Sequence, residues 1–131
     1  MKISIPVSAG ELLDKISILE IKKERIQESD KKKNVNTELN LLRKVQIESE
    51  LVETICPKIL DHLCQRLKKV NEELWDVEDK LRLLEEENNF SITFVNFARS
   101  VYRLNDDRAQ IKRKINELSG SELVEEKSYK G

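Results

Sequence analysis

Two long segments of the chain place an apolar residue at every third or fourth position without losing phase. The first ladder consists of Leu60, Leu63, Leu67, Val70, Leu74, Val77, Leu81 and Leu84. The second consists of Phe94, Phe97, Val101, Leu104, Arg108, Ile111, Ile115 and Leu118, with a charge at one apolar position. This spacing predicts two long amphipathic helices that pack along a continuous seam.

Composition supports an all-α domain. The chain has 131 residues, of which 37% are charged, and it contains only three Gly and two Pro. Such a balance is typical of exposed helices and poor for strands. The length is that of one domain, and we assign residues 1–131 to a single helical domain.

The charge balance and the apolar runs narrow the possible partners. Twenty-four basic and 25 acidic residues leave a net charge of −1, so we expect no nucleic acid partner. No apolar run approaches the roughly 20 residues of a membrane span, so no membrane association is expected. Cys56 and Cys64 lie too far apart on a helix for a disulfide, and we expect a cytoplasmic protein.

Local signals divide the chain into four predicted helices at about 9–29, 37–56, 57–87 and 92–119. Ser8 and Glu11 have the spacing of a capping box, and Gly120 is placed to end the last helix. Asp30 to Asn36 is polar and is predicted to be a loop. Pro57 is predicted to begin the third helix, although one long helix kinked there is the alternative.

Short connections between long helices favour an antiparallel four-helix bundle. A short extended N-terminal segment precedes the bundle, and a C-terminal tail follows it, with Leu123, Val124 and Tyr129 available to pack back. Helices this long in so small a chain often complete their burial by self-association. We therefore expect a homo-oligomer, most simply a dimer.

Three of the predicted helices carry one charge inside the apolar seam: Lys23, Glu48 and Arg108. Glu20 falls within the apolar arc of the first helix, and Glu78 flanks the seam of the third. A buried charge costs several kcal/mol unless it is paired. These residues are therefore either a salt-bridge layer, with Lys23 or Arg108 bound to Glu48 or Glu20, or the lining of a polar pocket for a carboxylate or phosphate.

An acidic stretch in the third helix is a weaker candidate site. Glu73, Asp76 and Asp79 could hold Mg²⁺, but the i,i+4 spacing of Asp76 and Lys80 is typical of a solvated face. The solvated face is favoured, and no cofactor is predicted.

Several motifs resemble a family of short, uncharacterised bacterial-type helical proteins. They are GELLDKISILEIK from Gly10, LWDVED from Leu74, FARSVYRLND from Phe97 and GSELVEEKSY from Gly120. The resemblance implies an association with surface-polysaccharide biosynthesis but no catalytic residues. It also implies that polar positions belong to motifs, namely Asp14, Lys15, Glu20, Glu78, Asp79, Arg99, Asn105, Asp106, Arg108 and Lys127.

Two fainter likenesses imply enzymes. Leu13–Ile16 and Glu24–Ile26 are similar to the first helix of the all-helical chorismate mutases, although the arginines of that family have no counterparts in register. The acidic residues Glu73, Asp76 and Asp79 are similar to those of helical nucleotide pyrophosphohydrolases.

The leading hypothesis is a non-enzymatic helical bundle that binds a partner protein or a small anionic ligand. The alternative is a small helical enzyme that acts on an anionic metabolite. Arg108 and Lys23 would then hold the anion, and Glu48 or Glu78 would act as acid or base. Glu20 and Asn105 complete the set of candidate ligand-binding residues.

Overall fold

A computed structural model describes residues 1–121, 123 and 126 of the chain, and it is all-helical over them. The helices are α1 (Ala9–Arg25), α2 (Ser29–Glu48), α3 (Leu51–Thr54), α4 (Pro57–Glu86) and α5 (Ile92–Ser119). The predicted all-α class is confirmed. The first seven residues have no regular secondary structure, and their side chains are exposed.

The helix ends follow the local sequence signals. Ser8 caps α1, since its hydroxyl accepts a hydrogen bond from the Glu11 N–H at 3.1 Å. Pro57 is in the first turn of α4, and a separate short helix precedes it, so the kinked single helix is wrong. Asn88 and Gly120 have positive φ angles of 54° and 66° after α4 and α5. Both begin left-handed caps, which close the last turn of each helix.

The predicted loop from Asp30 to Asn36 is wrong, because these residues belong to α2. The segment contains no Gly or Pro, and Val35 and Leu39 continue a helical spacing into the core, where both are buried. The first connection instead follows Arg25. The predicted second helix also breaks, at Glu50, whose φ of 61° places it in the left-handed region between α2 and α3.

Helix α1 is at the centre of the packing, since it contacts α2, α4 and α5. The core joins its apolar face to residues of the other helices, among them Leu39, Leu67 and Ile115, which are at most 1% exposed. The two ladders pack α4 against α5. Their outer portion, residues 77–101, is a two-helix hairpin that we call the arm.

The remaining sequence predictions on the chain ends and on membranes have simple outcomes. Leu123 is exposed, while Val124 and Tyr129 lie outside the described residues. Over the described part of the chain, no helix has the length and apolar content that a membrane span requires.

Candidate functional site

A buried carboxylate, Asp14, is the polar centre of the contact between α1, α4 and α5. Only 1% of Asp14 is exposed. Its Oδ1 accepts hydrogen bonds from Asn71 Nδ2 and from Arg108 Nε, both at 2.9 Å, and its Oδ2 accepts a second bond from the Arg108 guanidinium. Ser17 joins the cluster, because its hydroxyl accepts from Asn71 Nδ2 at 2.8 Å and donates to the Asp14 carbonyl at 2.7 Å. A charge in such a place is tolerated because its oxygens are bonded to donors from two other helices.

Lys112 extends this cluster by one turn of α5. Its Nζ lies 2.8 Å from a Glu11 carboxylate oxygen and 3.7 Å from Asp14 Oδ2. The Lys112 side chain is only 10% exposed. Two acids of α1 and two bases of α5 therefore neutralise one another between the two helices.

Gly10 allows α1 and α5 to approach closely beside these ion pairs. Its N–H donates to Asn116 Oδ1 at 2.7 Å. A Cβ atom at this position would lie 2.6 Å from the Lys112 carbonyl oxygen, which no side chain can accommodate without a backbone shift. The missing side chain thus sets the spacing at which Asp14 meets Arg108.

Arg108, the charge inside the second ladder, belongs to this salt-bridge layer. The predicted partners Glu48 and Glu20 are wrong, since the guanidinium binds Asp14. Sequence spacing missed Asp14 because the residue lies beside the apolar face of α1 and has the pattern of an ordinary amphipathic position. Its place in the GELLDKISILEIK motif was the one signal that pointed to it.

The structure does not assemble the pocket predicted from the other seam charges. Lys23 and Glu48 are both exposed, and neither lies at Arg108. Lys23 is near the end of α1, where a long basic side chain reaches water, and Glu48 is the last residue of α2. The enzyme hypothesis therefore loses the arrangement in which Lys23 and Arg108 held an anion beside Glu48.

The other sequence candidates are dispersed. Glu20 is half-buried and lies 3.9 Å from Arg43 of α2. Glu78 is exposed on the arm, and Asn105 is half-buried on α5. Among the described residues, no hydrogen bond or ion pair joins Glu20, Glu78 and Asn105 to one another.

The acidic stretch of α4 lies on a solvated face. Asp76 binds Arg25 at 2.6 Å, and Glu73 and Asp79 are exposed. Among the residues that the structure describes, no three His, Cys, Asp or Glu side chains are grouped as a metal ion would need.

A groove of about 560 Å³ lies between the first half of α4 and the last half of α5. Its floor is apolar and consists of Ile59, Leu63 and Ile111. Its walls are polar or basic, formed by Lys58, His62 and Arg66 of α4 and by Gln110 and Lys114 of α5. The volume is within the range of small-molecule sites.

The positive charges of the groove walls are not paired with acidic groups of the described residues. Among the residues that the structure describes, no carboxylate lines the groove. Within the described residues, Lys58, Arg66 and Lys114 make no ion pair, whereas other bases of the same helices are paired, such as Lys68 with Glu24 at 2.5 Å. The hydrogen bond to Glu24 raises the pKa of Lys68. The groove is thus a concave, positively charged surface with an apolar base.

Sequence reasoning missed the groove although its signal was present. Lys58, His62 and Arg66 follow one another at four-residue intervals, which places them along one face of α4. They did not stand out because the helix carries charges on all its solvated faces. Only the packing of α4 on α5 shows that Lys114 faces the same space.

The acidity of the Cys64 thiol is perturbed by its surroundings. Burial, together with the negative charges of Glu20 and Asp61, raises its pKa to about 11. A group with so high a pKa stays protonated and unreactive near neutral pH. Cys64 is therefore a packing residue.

Comparison with known proteins identifies a family. The chain matches no curated protein and no solved structure. Residues 1–131 match the family described as "Family of unknown function (DUF6165)". The resemblance to a family of uncharacterised proteins, found in the sequence motifs, is confirmed at this level. Since the match covers the whole chain, the protein belongs to this family of unknown function.

Proposed function

We propose that the protein is a non-enzymatic binding module that takes a small anionic ligand in the groove between α4 and α5. The observation that carries the proposal is the convergence of four basic or imidazole side chains on a groove of about 560 Å³ that is lined by no carboxylate of the described residues. Free cations of this kind offer hydrogen bonds and charge to phosphate or carboxylate groups.

The apolar floor adds a requirement on the ligand. Leu63 and Ile111 are at most 4% exposed, and Ile59, which is 48% exposed, presents apolar surface to the groove. An anion with an apolar or flat body would cover this base while its charged group binds the walls. Sugar nucleotides have this combination of groups, because their nucleobase is flat and their phosphates are anionic, and the family resemblance to polysaccharide biosynthesis points to the same class.

The buried ion pairs support the site. In our proposal Asp14 and Arg108 fix the position of α5 against α1 and α4, on an antiparallel four-helix framework. A rigid helix pair holds binding side chains more precisely than loops do.

A cytoplasmic location is part of the proposal, and the two free cysteine thiols are consistent with a reducing compartment. Self-association into a dimer also stays a prediction.

Thermal unfolding with and without UDP-glucose, glucose 1-phosphate or inorganic phosphate tests the proposal. A ligand present at 100 times its Kd stabilises the folded state by about 2.7 kcal/mol. The stabilisation should decline with added salt, because the binding cations are exposed. UDP-glucose, the probe with a flat body, should bind more tightly than inorganic phosphate.

Charge variants locate the site. The double variant Arg66→Gln/Lys114→Gln should lose the ligand-induced shift. The matched control Lys33→Gln/Lys44→Gln removes the same charge from exposed positions of α2 and should keep it. Equal loss in both variants, or no shift with any probe, would contradict the proposed function.

A further inference from the structure

The basic groove between α4 and α5 contains His62, the one histidine of the chain. Its side chain is exposed and lines the α4 wall, one helical turn from Lys58 on one side and one turn from Arg66 on the other. Within the described residues, no hydrogen bond or ion pair engages the imidazole. The ring is therefore accessible to a ligand that enters the groove.

Three cations line the groove together with His62. Lys58 and Arg66 belong to α4, and Lys114 belongs to α5, where its neighbour in the groove is the neutral Gln110. Lysine and arginine side chains as a class keep their charge throughout the range from pH 5 to pH 8, in which imidazole changes its own. Among the described residues of the groove, His62 is thus the group whose charge responds to pH in this range.

Two acids lie beside the groove on its two helices. Asp61 precedes His62 in α4, and its Oδ2 accepts a hydrogen bond from Gln65 Nε2 at 2.9 Å. Glu117 follows Lys114 by three positions in α5 and is exposed. Neither acid is among the described residues that line the groove. Carboxyl groups as a class titrate near about pH 4, below the range in which imidazole changes its charge.

An anion bound in the groove would couple its affinity to the charge of His62. A phosphate at the groove wall interacts more favourably with an imidazolium ion than with a neutral imidazole, because opposite charges favour the charged form. Thermodynamic linkage then requires the anion and the proton to strengthen each other's binding by the same factor. The anion should bind more tightly as the pH falls, and its binding should transfer a proton from the buffer to the imidazole ring.

We propose that His62 makes ligand binding in the groove proton-coupled, so that the site takes up a phosphate-bearing ligand together with a proton and releases both as the pH rises. This proposal rests on the proposed function, since it needs an anion in the groove. Lys58, Arg66 and Lys114 supply positive charge across the whole range, and His62 adds a further charge only on acidification. One added charge at such a partly solvated site should strengthen binding about tenfold.

Isothermal titration calorimetry with UDP-glucose at about pH 8 and about pH 5.5 tests the proposal. Each phosphate of UDP-glucose is linked on two sides and has no second proton to gain, whereas the phosphate of glucose 1-phosphate titrates near about pH 6 and would obscure the result. The wild type should bind about tenfold more tightly at the lower pH. Titrations near the middle of the range, in two non-phosphate buffers with different ionisation enthalpies, should show net proton uptake.

Two variants at His62 separate its charge from its contacts. His62→Gln keeps a polar side chain without a titrating ring, so its affinity should be equal at the two pH values and its proton uptake should vanish. His62→Lys has a fixed charge, so its affinity should also be independent of pH but tighter than that of His62→Gln. The matched control His62→Gln/Asn40→His returns an imidazole to an exposed position of α2 and should not restore the pH dependence.

The outcomes distinguish this proposal from the proposed function. Wild-type binding with equal affinity at both pH values would keep the groove as an anion site but refute proton coupling. A pH dependence that persists in His62→Gln, or returns with Asn40→His, would assign the titration to other groups and refute the role of His62. Absence of UDP-glucose binding at both pH values would contradict the proposed function and this proposal together. Circular dichroism at both pH values checks that each variant is folded.

Discussion

Substitution of Arg108 should destabilise the fold more than substitution of its partner Asp14, although both remove the same ion pair. The Arg108→Met variant leaves the Asp14 carboxylate, 1% exposed, with Asn71 at 2.9 Å and Lys112 at 3.7 Å. Lys112 is already bound to Glu11 at 2.8 Å. The Asp14 carboxylate is then a buried charge with too few hydrogen-bond donors and positive charges around it.

The magnitudes follow from this asymmetry. Loss of one partner of a buried pair costs about 3–5 kcal/mol when the remaining charge cannot reach water. The Asp14→Asn variant instead leaves Arg108, whose side chain is 29% exposed and can turn toward solvent. Its cost should be about 1–3 kcal/mol, the value for a buried hydrogen-bond acceptor that is lost.

The double variant Asp14→Asn/Arg108→Met removes both charges and should cost about as much as Asp14→Asn alone. The coupling between the two sites then equals the cost of Arg108→Met, about 3–5 kcal/mol. Urea unfolding followed by circular dichroism measures the free energies of unfolding of all four proteins. Additive costs, or a larger cost for Asp14→Asn than for Arg108→Met, would refute the assignment of Asp14 as the charge that depends on its partner.

Three further predictions concern the glycines and the cysteines. Gly10→Ala should lower the free energy of unfolding by about 1–3 kcal/mol through the clash with the Lys112 carbonyl. Gly120→Ala, with nothing within 4 Å, should lose about 1–2 kcal/mol through its positive φ alone. A Gly10→Ala variant with unchanged stability in urea unfolding would contradict the close approach of α1 and α5. Alkylation followed by mass spectrometry should modify exposed Cys56 long before Cys64, because a pKa raised from 9.0 to about 11 lowers the thiolate fraction about a hundredfold. The same raised pKa makes the stability of the fold depend on pH. Cys64 contributes stability below pH 9.0, where the thiol is protonated in both the folded and the unfolded state, and this contribution is lost between pH 9.0 and about 11. A Cys64→Ala variant whose stability has the same pH dependence as the wild type in that window would contradict the prediction.

The sequence by itself determined the helical class and most helix ends. The three-four spacing of the two ladders can be satisfied only by helices, and Ser8, Pro57 and Gly120 act on the backbone within one turn of their own positions. Such local effects do not depend on the rest of the fold. The prediction failed at 30–36, where a polar composition was taken for a loop although no residue there breaks a helix.

Only the tertiary structure decided which charges meet. Asp14 and Arg108 are 94 positions apart, and their contact depends on the approach of α1 to α5 that Gly10 permits. Lys23 and Glu48 had the same periodic signal as Arg108 but lie at helix ends, where their charged groups are solvated by water. The groove likewise exists only because Lys58, His62 and Arg66 of one helix face Lys114 of another. Periodicity fixes the face of a helix on which a residue lies, but burial and pairing depend on what packs against that face.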